Sequence, residues 1–232
     1  MRGKVKTELI VGLDLDSEAE ACAAVRACDS CDCFKIGSQL FSRCGPSVVR
    51  AVQDRGKAVF LDLKFHDIPN TVARAARAAA DLGAGLFTLH ASGGVRMIQA
   101  AREAINGSET RILAVTVLTS LSDTMLQEEI GIPQTAAQAV PRLARLAVEA
   151  GAHGIVCSPR EIALVREAVG ADPLVVAPGI RPEWAGQDDQ VRTMTPRQAA
   201  DAGADMIVVA RPVLSHARPA EAIRLILDEL QS

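Results

Sequence analysis

Short apolar runs alternate with longer amphipathic stretches along the whole chain. The runs rich in Val, Ile and Leu predict eight strands, at Leu9–Leu15, Cys33–Ile36, Ala58–Leu63, Leu86–His90, Ile112–Leu118, Gly154–Cys157, Leu174–Ala177 and Met206–Ala210. Apolar residues at helical spacing between them predict helices that include Thr71–Leu82, Val95–Ile105, Thr135–Ala150, Arg160–Val169 and Pro196–Ala202. Strict alternation of strand and helix indicates a parallel sheet covered on both faces, because such strands are continuously apolar.

The number of these strand–helix units favours a closed barrel. Eight units in 232 residues predict one α/β domain over residues 1–232 with the (β/α)8 TIM-barrel fold. A doubly wound open sheet is the alternative, but it would usually carry a G-x-G-x-x-G loop after its first strand, where this chain has GLDLDS. Gly83, Gly151 and Gly203 each follow a predicted helix, where glycine suits the left-handed backbone.

Composition excludes several classes of partner. The net charge is −3, and the chain has no Tyr, five Phe and one Trp, so neither nucleic acid nor an anionic membrane is an expected partner. No apolar run approaches the roughly 20 residues of a membrane helix. The basic start is followed by only a short apolar stretch, Leu9 to Leu13, which predicts a strand rather than a signal peptide. We therefore expect a cytoplasmic protein.

Six cysteines are then expected to be reduced thiols. Cys28, Cys31 and Cys33 form a C-x-x-C-x-C cluster that is compatible with a zinc or redox site. No second cysteine pair or suitably spaced histidine follows, whereas a structural zinc needs four ligands. The cluster is better interpreted as core packing, as is Cys157, and no metal is expected.

Polar residues at the predicted strand ends indicate the chemistry, because barrel enzymes carry catalytic groups there. In LDLKFHD, Asp62 and Lys64 are two residues apart and should point to the same face of a strand. Asp67 follows, and Lys35 ends the neighbouring strand. The cluster could be a structural ion-pair network, but two lysines and two carboxylates at adjacent strand ends favour catalysis. His90 could be a general base, a core residue or a supporting residue.

The last two strands point to a phosphate site. APGIRP after strand seven and VARP after strand eight place Arg181 and Arg211 in the two loops where barrels often bind phosphate. Glycine allows backbone N–H groups to approach the anion, and arginine binds its oxygens in a forked geometry. Each arginine alone could be a surface residue, but the pair predicts a phosphate-bearing substrate.

These motifs together resemble the bacterial orotidine 5′-phosphate decarboxylase family. The resemblance runs from Leu13 to Arg211 and rests on FKIG, LDLKFHDIPNTV, TLHASGG, VTVLTS, APGIRP and the final VVARP, which occur in this order. It implies decarboxylation of orotidine 5′-monophosphate to UMP and carbon dioxide, the last step of pyrimidine synthesis, with no metal or organic cofactor. It also implies a homodimer in which Asp67 and Thr71 cross to the partner's active site.

The resemblance further implies a role for each matching residue. A tetrad of alternating charge would consist of Lys35, Asp62, Lys64 and Asp67, with Lys64 as the proton donor. The substrate would be bound by Asp14 and Lys35 at the ribose, Thr119 and Ser120 at the pyrimidine, Gln190 between base and phosphate, and Arg181 and Arg211 at the phosphate. Ala210 stands where the family usually has glycine, so its methyl group is expected to crowd the phosphate and weaken binding.

Two alternatives remain open from the sequence. A decarboxylase or aldolase of sugar phosphates shares the D-x-K-x-x-D skeleton and often needs a magnesium ion. A catalytically silent barrel could instead bind a nucleotide as a sensor or scaffold, although a binder has no evident use for the charged cluster.

Overall fold

The chain forms a closed eight-stranded barrel in a computed structural model that describes residues 7–185 and 193–231. The strands are β1 (Glu8–Gly12), β2 (Cys33–Gly37), β3 (Ala58–Phe65), β4 (Leu86–His90), β5 (Arg111–Val115), β6 (Gly154–Val156), β7 (Leu174–Ala177) and β8 (Met206–Val209). They follow one another around the ring in chain order, and β1 pairs in parallel with β8. The predicted single-domain (β/α)8 barrel is therefore confirmed.

Helices surround the barrel and connect its strands. In the described part of the chain they are α1 (Glu18–Ala27), α2 (Ser38–Cys44), α3 (Ser47–Gln53), α4 (Pro69–Asp81), α5 (Gly94–Ala104), α6 (Ala136–Glu149), α7 (Ile162–Val169), α8 (Pro196–Asp201), α9 (Arg211–Leu214) and α10 (Pro219–Gln231). Gly83, Gly151 and Gly203 have φ angles of 72°, 101° and 102°, as expected for glycines that end helices. Among the described residues, no helix is long and apolar enough to cross a membrane.

The core has two layers. Inside the barrel, Ile10, Phe60 and Leu113 pack with side chains from the other strands and fill its lower part. Outside the barrel, a larger cluster of buried residues lies between the strands and the helices. Since these side chains fill the lower part of the interior, the space inside the ring opens at the carboxyl ends of the strands.

Two predicted strands are three residues too long at their carboxyl ends. Strand β1 ends at Gly12 and β5 at Val115, whereas the apolar runs continue to Leu15 and Leu118. The runs continue because Leu13 and Val117 are buried loop residues, so apolarity alone does not mark the strand end. Asp14 and Thr119 consequently lie in loops above the barrel.

Candidate active site

A cavity of about 270 Å³ opens at the carboxyl ends of the strands. Its charged lining consists of Asp14, Lys35, Asp62, Lys64, Arg181 and Arg211. The remaining wall is largely apolar and includes Phe60, Val115, Val117, Leu118, Val156 and Ile180. A small polar site with apolar walls is typical of ligand pockets, in which a few placed charges orient the ligand. The cavity therefore has the character of an enzyme site for a charged small molecule.

Four of the charged residues form a continuous chain of ion pairs. The Lys64 Nζ lies 2.9 Å from both Asp62 Oδ1 and Asp62 Oδ2. The Lys35 Nζ lies 3.8 Å from Asp62 Oδ2 and 3.2 Å from Asp14 Oδ1. The Lys35 and Asp62 side chains are each 13% exposed, whereas Lys64 is 37% exposed and faces the cavity. The predicted proximity of Lys35, Asp62 and Lys64 is thus confirmed.

The backbone brings Asp62 and Lys64 together in a way that strand alternation does not predict. Lys64 has a φ angle of 51° and is the only non-glycine residue with positive φ in the described part of the chain. The pairing of β3 with β4 also shifts register here, because Leu61 pairs with Phe87 but Phe65 with Leu89. Left-handed backbone is unfavourable for a side chain with a Cβ, and such strain concentrates at functional sites.

Thr88 on β4 is a residue that the sequence analysis missed. Its side chain is fully buried. Its hydroxyl accepts a hydrogen bond of 2.8 Å from the Lys64 backbone N–H and donates one of 2.9 Å to Asp62 Oδ1. The available signal was a polar residue facing inward in the otherwise apolar strand LFTLH. Thr88 therefore links the strained backbone to the carboxylate of Asp62.

The predicted phosphate residues line the other side of the cavity. Arg181 follows β7 and Arg211 begins α9, immediately after Ala210 at the end of β8. Strand β7 is four strands from β3 in the ring, so Arg181 and Lys64 belong to opposite walls. Gly179, between β7 and Arg181, has a φ angle of 76°, a conformation that glycine adopts without strain. The site thus has a cationic side and an ion-paired side.

The other predicted site residues do not all line this cavity. Thr119 is part of its lining, whereas Ser120 is exposed and does not line it. Asp67 and Thr71 are also exposed and lie outside the lining, and the Asp67 carboxylate accepts a 2.6 Å hydrogen bond from the Ile68 N–H. Gln190 lies outside the described residues. Within one chain, the structure therefore unites three of the four predicted tetrad residues and leaves Asp67 apart.

His90 is not among the residues that line the cavity. Its ring stacks at 5.1 Å on the ring of His66. Burial lowers the pKa of His90, and the neighbouring His66 and Lys64 lower it further. Because these effects favour the neutral ring, His90 is better suited to packing beside the site than to being a charged catalytic group.

The cysteine cluster lies at the opposite end of the barrel. Cys28 and Cys31 are buried, Cys33 begins β2, and all six cysteines are free thiols. Among the described residues, no three His, Cys, Asp or Glu side chains are arranged to hold a metal ion. The Cys31 thiol donates to the backbone carbonyl oxygens of Leu9 and Cys33. These contacts agree with the interpretation of the cluster as packing.

We expect the thiols of Cys28 and Cys33 to resist alkylation in the folded protein. Burial and the nearby Cys31 raise the pKa of Cys28 to about 11 and that of Cys33 to about 12, so little thiolate forms at about pH 8. Iodoacetamide treatment followed by peptide mass spectrometry should label Cys22 and Cys44, which are partly exposed, before the buried Cys28 and before Cys33, which is partly exposed but has a raised thiol pKa. Equal labelling at all four positions would contradict the packing role.

Comparisons of the sequence with known proteins agree on one family. The family described as "Orotidine 5′-phosphate decarboxylase / HUMPS family" matches residues 7–226. A protein of Saccharophagus degradans named orotidine 5′-phosphate decarboxylase is 47% identical over 226 residues, which cover 96% of this chain and 94% of that protein. One of the same name from Geobacter sulfurreducens is 50% identical over 204 residues, covering 86% of this chain and 85% of that protein.

Comparison with solved structures gives the same result. The crystal structure of an orotidine 5′-phosphate decarboxylase from Lactobacillus acidophilus superposes with a TM-score of 0.86 at 36% sequence identity. The match covers 97% of this chain and 100% of that one. The similarity in fold thus extends over the whole barrel rather than over a few motifs.

Proposed function

The chain belongs to the orotidine 5′-phosphate decarboxylase / HUMPS family, and from this membership we propose that it converts orotidine 5′-monophosphate into UMP and carbon dioxide. The observation that carries the proposal is the chain of ion pairs from Asp14 through Lys35 and Asp62 to Lys64, held opposite two arginines in one cavity. This arrangement fits a substrate with a reacting carboxylate at one end and a phosphate at the other.

Lys64 is the proposed proton donor. When the bond between the pyrimidine and its carboxylate breaks, carbon dioxide leaves and the electron pair remains on the ring carbon. The Lys64 ammonium stabilises that developing charge and then transfers a proton to the carbon, which gives UMP. The apolar wall formed by Phe60, Val115 and Val156 strengthens this electrostatic effect, because charges interact more strongly where water is excluded.

We propose two roles for Asp62: it positions the Lys64 ammonium group and it repels the reacting carboxylate of the substrate. Its carboxylate holds Lys64 in a bidentate ion pair and also faces Lys35. In the substrate complex it would lie beside the reacting carboxylate, and repulsion between the two anions would favour the loss of carbon dioxide. The two lysine ammonium groups lie on either side of the Asp62 carboxylate and offset its negative charge.

The remaining residues are assigned by their places around the cavity. We propose that Asp14 and Lys35 bind the ribose hydroxyls, that Thr119 and Ser120 contact the pyrimidine, and that Arg181 and Arg211 bind the phosphate. Gln190 is proposed to bridge base and phosphate. Ala210 lines the phosphate side, and an ideal Cβ added to Gly12 would lie 2.9 Å from its methyl group. That methyl therefore faces Gly12 of β1, and because Ala210 also lines the cavity, we propose that its methyl group limits the room for the phosphate.

We also propose a cytoplasmic homodimer in which Asp67 completes the tetrad of the partner subunit. Asp67 makes no ion pair with a described residue of its own chain, although it follows directly on the strand that carries Asp62 and Lys64. Its neighbour Ile68 is 66% exposed, and Thr71 lies on the same exposed first turn of α4. An exposed large apolar residue beside a carboxylate that has no ion pair with a described residue of its own chain supports a contact with another subunit.

A direct assay tests the proposed reaction. Purified protein is mixed with orotidine 5′-phosphate in the presence of EDTA, and the loss of orotate absorbance is followed. Turnover under these conditions would support a decarboxylase that needs no metal. Absence of turnover from folded protein, followed by activity on a sugar phosphate with magnesium, would replace the proposal with the sugar-phosphate alternative. Tight nucleotide binding with no reaction on either substrate would indicate a sensor.

Replacing Arg211 with Ala should lower kcat/KM by about 100-fold, because a charged hydrogen-bond donor to the phosphate contributes roughly 1.5–3 kcal/mol. The loss would occur far from the bond that breaks, since phosphate binding energy assists the reaction at a distance. Steady-state kinetics on orotidine 5′-phosphate measure the effect. Arg224→Ala is a matched control, because Arg224 pairs with Asp228 on α10 away from the cavity. Unchanged efficiency in Arg211→Ala would contradict the phosphate assignment.

A further inference from the structure

The geometry points to Thr88 as a positioning residue for the charged site, an inference that rests on the proposed function. Thr88 does not line the cavity and so does not touch a ligand there. It lies behind the ion-paired side, on β4, with its side chain fully buried. Its two hydrogen bonds connect it to the residue that bears the proposed proton donor and to the carboxylate that holds that donor.

The directions of these two hydrogen bonds are fixed by chemistry. A hydroxyl has one proton, and the Lys64 N–H is a donor only, so the Thr88 oxygen accepts from Lys64 and its proton is free for Asp62. The Asp62 Oδ1 therefore accepts two hydrogen bonds, one from the Thr88 hydroxyl and one from the Lys64 ammonium. In each, the donor atom lies 2.9 Å from Oδ1. The carboxylate is held from two sides and its plane cannot rotate without losing one of these bonds.

The Lys64 backbone needs this support because the sheet does not provide it. Register shifts between Leu61 and Phe65, so the segment between them bulges away from regular pairing with β4. A buried N–H without a partner costs as much as a lost hydrogen bond, and a φ angle of 51° adds strain. The Thr88 hydroxyl satisfies that N–H and thereby stabilises the conformation that directs the Lys64 side chain into the cavity.

A threonine combines two properties that this position requires. Its hydroxyl supplies the acceptor and the donor, while its methyl group fits the apolar interior of the barrel. Valine has nearly the same shape but neither hydrogen-bonding function, and serine has both functions without the methyl group. The two substitutions therefore separate hydrogen bonding from packing.

We expect Thr88→Val to lower kcat roughly ten- to hundredfold, the range for loss of a hydrogen bond to a charged group, while KM changes much less. KM should be maintained because the ribose and phosphate residues lie on other strands. Thr88→Ser should retain kcat within about threefold. Steady-state kinetics on orotidine 5′-phosphate, with melting temperatures measured alongside, distinguish a change of geometry from a loss of folded protein.

Thr116→Val is the matched control. Thr116 is also a buried threonine, but its hydroxyl bonds to the Val156 carbonyl oxygen at 3.2 Å and not to a charged group. This variant should keep near-normal kcat. Three results would each overturn the inference: wild-type kcat in Thr88→Val, an equal loss in Thr88→Ser, or an equal loss in Thr116→Val.

A second readout does not depend on turnover. The chain has five lysines, so labelling with ¹⁵N-lysine gives a spectrum in which the Lys64 amide can be followed by hydrogen exchange. Thr88→Val should accelerate exchange at Lys64 by at least about tenfold and leave Lys35 in β2 unchanged, whereas Thr88→Ser should keep Lys64 protected. If the wild-type protein fails to decarboxylate orotidine 5′-phosphate, the proposed function is wrong, and this measurement alone decides the inference. An unchanged Lys64 rate in Thr88→Val would then refute it.

Discussion

Replacing Lys64 with Ala should reduce kcat on orotidine 5′-phosphate by at least about a thousandfold. The substitution removes both the proposed proton donor and the positive charge beside the carbon that carries the developing anion, and loss of one such stabilising group alone costs roughly 100- to 1,000-fold. It also leaves the 13%-exposed Asp62 carboxylate with Lys35 as its remaining ion-pair partner among the described residues. Single-turnover absorbance kinetics measure the effect, because they remain sensitive at low rates.

Lys57→Ala is a matched control for the loss of a shielded lysine. The Lys57 side chain is 11% exposed and its Nζ lies 3.4 Å from Asp29 Oδ1, immediately before β3 and therefore at the opposite end of the same strand from Lys64. Its removal should alter stability more than catalysis. If Lys57→Ala and Lys64→Ala lost activity to the same extent, the effect would be one of folding and the role of Lys64 would be disproved.

The second large effect concerns Asp67, and it tests the dimer at the same time. Asp67→Asn should also lose at least about two orders of magnitude in kcat, because it removes one of the two carboxylates of the tetrad. If Asp67 acts in the partner's site, mixing the inactive Asp67→Asn and Lys64→Ala proteins should restore activity. In a mixed dimer, one site combines Lys64 from the first chain with Asp67 from the second, and both are intact.

Random exchange of subunits makes half of the dimers mixed, each with one intact site, so activity should recover to roughly a quarter of that of the wild type. Asp81→Asn, at the exposed end of α4, is the control and should be fully active alone. Mixtures that stay inactive after subunit exchange, shown by mass spectrometry to contain mixed dimers, would place Asp67 in its own chain's site or outside catalysis. A protein that is monomeric at assay concentration would refute the homodimer itself.

Much of the fold was accessible from the sequence because its signals are local. The hydrophobic pattern of each segment predicts a strand or an amphipathic helix, and eight such strand–helix units form a closed barrel. The carboxyl ends of β1 and β5 could not be predicted in this way, because the loop residues Leu13 and Val117 are buried like strand residues. The pattern of apolar residues indicates which positions are buried, and buried positions continue beyond the last residue that pairs with a neighbouring strand.

The candidate site was also largely predictable, for a related reason. Parallel strands bring their carboxyl ends to one side, so Lys35, Asp62, Lys64, Arg181 and Arg211 could be assigned to one cavity before any distance was known. The two-residue spacing of Asp62 and Lys64 correctly predicted that their side chains lie close together, but regular strand alternation is not the reason. Regular alternation does not hold at Lys64, whose φ angle of 51° reflects a register shift that depends on the neighbouring strand.

From the sequence alone we could assign the type of barrel, the strand ends that carry charge and the family that the chain resembles. Three further features depend on the tertiary structure: which charges are in contact, the separation of Asp67 from the other three predicted tetrad residues of its chain, and the hydrogen bonds of Thr88 to Lys64 and Asp62. The physical reason is that a hydrogen bond between residues 24 or 26 positions apart, as Thr88 makes to Lys64 and Asp62, has no local sequence pattern. It exists only once two strands are placed side by side.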